Sequence, residues 1–101
     1  MSNSREWSLE NLPGGRRIEL GLAERAAGLQ GINACLVRIA APRLRRAGFL
    51  KEENMPDATA ELDLYQILLG EPGDPYSRYN ALLRELVSFE HALDQCLSHR
   101  A

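Results

Sequence analysis

The stretch DPYSRYNALLRELVSFEHALDQCLS, residues 74–98, decides the fold. Asp74 followed by Pro75 is a capping side chain ahead of a proline at the first helical position, where the missing N–H costs nothing. The pattern behind it predicts one helix to about residue 98, roughly 36 Å long. At about 100° per residue, Tyr79, Leu82, Leu83, Leu86, Phe89, Leu93, Cys96 and Leu97 share half the circumference. Arg84, Ser88, His91, Gln95 and His99 occupy the other half. A rod with so broad an apolar side must lay it against other helices, which points to an all-α domain: a small helical bundle with a long C-terminal helix over about residues 75–98.

One charge breaks that side. Tyr76, Tyr79, Leu83, Leu86, Glu90, Leu93 and Leu97 follow alternating spacings of three and four, so Glu90 reads as the polar member of a seam, in the middle of the apolar arc. An unpaired buried carboxylate is costly. Glu90 is therefore expected either to meet Arg43 or Arg46, within the chain or across a dimer seam, or to lie at an open edge of the bundle.

The segments upstream also read as helix. Ile18, Leu22, Ala26 and Leu29 share one face of residues 16–29, and Gly28 and Gly31 mark the junction with the next segment. Ile32, Leu36 and Ile39 continue an apolar stripe through residues 31–47. Gly48 can close that helix in the left-handed conformation, with Phe49 folding back on the last turn. Pro42 lies inside it and is expected to kink it. Asn54, three residues before Asp57, resembles a cap ahead of ATAELDLYQILL, which is apolar almost all round and should be covered on most sides. TAELDLY also alternates like a strand, the minority reading. Residues 1–101 are expected to form one helical domain. Residues 1–15, with Trp7 and Leu9, would either make a short turn packed on the bundle or stay loosely ordered.

The stretch APRLRRAGFL, residues 41–50, raises the question of a partner. A straight helix would put Arg43 and Arg46 on the arc of Ile32, Leu36 and Ile39, unless the kink at Pro42 swings them off it. Arg38 and Arg45 would share the far, wet face, and Arg45 and Arg46 also suit the C-terminal end of the helix dipole. Taking Gly28 as the turn glycine of a helix-turn-helix, Ala23, Ala27, Leu29, Ala34 and Val37 occupy positions that should be apolar. Residues 51–65 could then imitate the hairpin of a winged domain. Against this, Glu24 stands where that turn wants a small residue, Pro42 falls late in the reading helix, and only Asn33 and Arg38 could contact bases.

Charge distribution supports a different use of the arginines. Residues 1–50 carry eight Arg against four Glu, whereas residues 51–101 carry four basic residues against ten acids. The two halves should attract each other in the fold. A net charge of −2 and a sequence pI of about 5.7 do not favour a phosphate backbone as the main partner.

The apolar share of 45% is that of a globular chain. The first ten residues lack the apolar run of a signal peptide, and no stretch reaches the roughly 20 apolar residues of a membrane span. Cys35 and Cys96 are expected to be reduced small hydrophobes in a cytoplasmic protein.

No motif for catalysis stands out. His91, Cys96, His99 and Cys35 are poorly spaced for zinc, because His91 points away from Cys96. No Glu-x-x-His pair exists for a bundle metal centre. PGGRR has the glycines of an anion cradle but lacks the lysine and hydroxyl of a P-loop. Neither an enzyme nor a cofactor or metal is expected. The preferred function is non-catalytic protein–protein binding, as a small adaptor, an inhibitor or regulator of a larger complex, or a helical chaperone, and as a homodimer. The alternative is a helix-turn-helix-like DNA-binding regulator using the basic half. The residues expected to touch a partner are Arg38, Arg43, Arg45, Arg46, Tyr76, Tyr79 and Glu90, from the C-terminal helix and the arginine cluster.

Overall fold

A computed structural model describes residues 9–50 and 59–100, apart from the side chains of Glu10, His99 and Arg100. A 3-10 turn, Leu9–Asn11, leads into α1 (Gly15–Ala26), α2 (Ile32–Arg46), α3 (Ala60–Leu69) and α4 (Pro75–Arg100). The protein is an all-α bundle, and no strand occurs among the described residues. TAELDLY lies at the start of α3 and is helical from Ala60 on, so no hairpin wing forms there. The Asn54–Asp57 cap and Trp7 fall outside the described residues, whereas Leu9 is buried in the core.

α4 begins at Pro75, as Asp74-Pro75 predicts. Asp74 accepts a 2.6 Å hydrogen bond from the Ser77 hydroxyl, and its backbone carbonyl accepts the Arg78 N–H. Along α4 the fully covered residues are Leu82, Leu86, Phe89 and Leu93, with Tyr79, Leu83 and Leu97 packed around them. Arg84, Ser88, His91 and Gln95 are exposed on the opposite side. Removing these four core side chains from water contributes about 2 kcal/mol each before conformational entropy is set against it.

α2 is the central helix. Ala34, Cys35, Leu36, Val37, Ala40 and Leu44 are all buried, on several sides, because α1, α3 and α4 each pack on it. It runs unbroken through Pro42, which lies on its exposed side, where water can stand in for the lost N–H donor. Gly48 closes it at φ 90°. The Phe49 N–H donates to the Leu44 carbonyl and the Gly48 N–H to that of Arg45, both bonds of a Schellman motif. α1 ends in the same way at Gly28, φ 77°, with Leu29 N–H bonded to the Glu24 carbonyl.

Gly21 sets the distance between α1 and α2. A Cβ built there would stand 2.2 Å from the Asn33 carbonyl oxygen and 2.6 Å from Val37 Cγ2. Only glycine permits this approach. Gly14, at φ 72°, plays a similar part against α4, where a Cβ would meet Glu85 and Phe89. Gly14 of PGGRR thus serves packing, and the neighbouring carboxylate is the protein's own Glu85.

Candidate partner-binding surface

The ion pairs answer what several of the arginines do. Arg17 Nε lies 3.1 Å from Glu85, and Arg17 also donates to the Asn33 side chain. Arg38 donates to Asp63 at 2.8 Å and to the Thr59 hydroxyl at 3.2 Å. Arg43 bonds Asp94, with Glu90 at 3.9 Å from its Nε. These three arginines join the basic half of the chain to the acidic half, as the charge asymmetry predicts, whereas Arg78 pairs with Glu71 inside the acidic half.

Two of the expected partner-binding arginines are thereby engaged inside the fold. Arg38 is not on a wet face: its side chain is only 15% exposed, because α3 lies over it and Asp63 faces it. A helical wheel shows which residues share a side, but not that a neighbouring helix will cover the polar one. Arg43 sits at the bundle edge between α2 and α4. Arg46 is exposed rather than on the apolar arc, and Arg45 is half-buried. Neither has an ion-pair partner among the described residues.

Glu90 lies at the border of the apolar arc, not at its centre. The arc is centred on Leu82, Leu86, Phe89 and Leu93, so the three-four seam through Tyr76 and Leu83 runs along its edge. The Glu90 side chain is 18% exposed. Burial pushes its carboxyl above the ordinary range, and Asp94 adds to the rise, while the Arg43 guanidinium and His91 oppose it. The partner is Arg43 within the same chain.

The tyrosines divide. Tyr79 is half-buried and meets the edge of Tyr65 on α3, with ring centroids 5.5 Å apart at 86°. Burial raises its hydroxyl pKa, and nearby Glu61 raises it further. Tyr76 is 64% exposed. Tyr76 and Glu90 lie about 21 Å apart along α4, so the expected residues form two separate places, an arginine end and a tyrosine end.

Next to the tyrosine end lies a surface that sequence reasoning missed. Leu62 and Leu69 on α3 are 57% and 58% exposed. With Tyr65 and Gln66 between them, they form the solvent ridge of α3. The segment's apolar character on nearly every side predicts cover on most sides, and Leu62 and Leu69 lack it within the described residues. Tyr79 meets Tyr65 at one side of the ridge, and Leu62 and Leu69 remain more than half exposed.

Other candidate chemistry is sparse. The described residues contain no group of three His, Cys, Asp or Glu arranged to hold a metal ion. Cys35 is buried, Cys96 half-buried and His91 exposed, while the His99 side chain lies outside the description. No helix is long and apolar enough to cross a membrane among the described residues.

Asn33 and Arg38, the two side chains a DNA-reading helix would need, are bonded to Arg17 and to Asp63. Glu24, at the position that argued against a helix-turn-helix, accepts the Ala34 N–H at 3.0 Å and so caps the N-terminus of α2 from the preceding helix. Searches against protein-family models, curated proteins and solved structures match nothing to this chain.

Proposed function

We propose that this chain is a small non-catalytic protein–protein interaction module, an adaptor, regulator or helical chaperone of a larger assembly. The observation that carries the reading is the α3 ridge, where Leu62 and Leu69 are both more than half exposed. Contiguous apolar surface of this kind is where soluble proteins bind partners, and aromatic side chains supply much of the binding energy there. Arg45 and Arg46, exposed or half-exposed near Phe49, offer a second, basic contact some distance away.

Affinity capture from the native cell tests the reading with three baits: wild type, the Leu62→Glu/Leu69→Glu variant, and Arg45→Glu/Arg46→Glu. Loss of a stoichiometric bound protein from either variant, with helicity retained, supports it. An identical bound set with all three baits overturns it. Salt-dependent anisotropy with duplex DNA tests the alternative, and flat titrations at low salt would end it.

A further inference from the structure

We draw no further inference here: the strongest candidate, the solvent-facing ridge of α3 at Leu62 and Leu69, is an unpartnered apolar face, and nothing in the structure shows what covers it.

Discussion

Arg43 joins two carboxylates one turn apart on α4: it bonds Asp94, and its Nε stands 3.9 Å from Glu90. Asp94 is the more exposed of the two, at 45% against 18%. Glu90 therefore carries most of the desolvation cost and receives the weaker contact. Replacing it by leucine removes a half-buried charge and leaves the Arg43–Asp94 pair intact. We expect Glu90→Leu to leave stability unchanged or raise it by about 1 kcal/mol at neutral pH.

The sign with pH follows from the raised carboxyl pKa. A carboxyl that holds its proton more tightly when folded contributes stability below its unfolded pKa, and this is lost as pH rises through the folded value. The advantage of Glu90→Leu over wild type should therefore grow from acid to neutral pH in urea titrations. Arg43→Met should do the opposite, costing about 1–2 kcal/mol because it strands Glu90. Adding Glu90→Leu to Arg43→Met should recover much of that loss. An Arg43→Met protein as stable as wild type would show the contact to be idle.

How much of this was legible in the residues depends on which interaction decides each position. The start of α4, its wet face and the Gly48 closure follow from local rules: a cap, a proline, a period and a left-handed glycine. The pairing of basic and acidic halves follows from charge alone. Arg38 departs from its wet-face expectation because its environment is set by Asp63, 25 positions away, and no wheel of one helix contains the next. Glu90 lies shallower than the three-four seam predicts because that seam includes Tyr76, which the fold leaves in water. The α3 ridge inverted its signal, since a helix apolar on every side says that something must cover it without saying what.

Glu24 supplies a further case of a residue whose role is tertiary. The N-cap of α2 is Gly31, which has no side chain to offer the free N–H groups. Glu24 reaches across the turn to accept the Ala34 N–H instead. Glu24→Ala should cost about 1 kcal/mol, the usual value of a lost N-cap. Glu24→Gln should keep most of it, because the amide oxygen can still accept. Chemical denaturation of the two variants checks this, and equal losses from both would point to charge rather than the hydrogen bond.

Asp74 offers the clearest acid dependence. The Ser77 hydroxyl holds its carboxyl below the ordinary range, against an opposing effect of desolvation, with the backbone N–H groups of Ser77 and Tyr76 adding to the lowering. A depressed carboxyl contributes stability above its unfolded pKa of about 3.9 and loses it as pH falls through the folded value. Asp74→Ala should thus lower the Tm at neutral pH, and the gap from wild type should close on titration into acid. A gap that stays constant to pH 2 or so would show that the carboxylate does not cap α4.

Gly21 gives the sharpest test of the packing on which the bundle depends. In an exposed helix, alanine for glycine gains about 1 kcal/mol of helical propensity. At Gly21 the added Cβ meets the Asn33 carbonyl oxygen at 2.2 Å, and backbone cannot rotate aside as a flexible side chain can. α1 and α2 must separate, which also loosens the Arg17–Asn33 bond and the cover over Ile18 and Val37. The overpacking term outweighs the propensity gain, and Gly21→Ala should lose about 2–3 kcal/mol. Gly70→Ala is the control. Its Cβ would meet nothing nearer than the Ile67 carbonyl oxygen at 3.6 Å, so it should change stability by less than about 1 kcal/mol. Comparable urea midpoints for the two variants would mean that α1 and α2 do not cross as closely as the carbonyl of Asn33 requires.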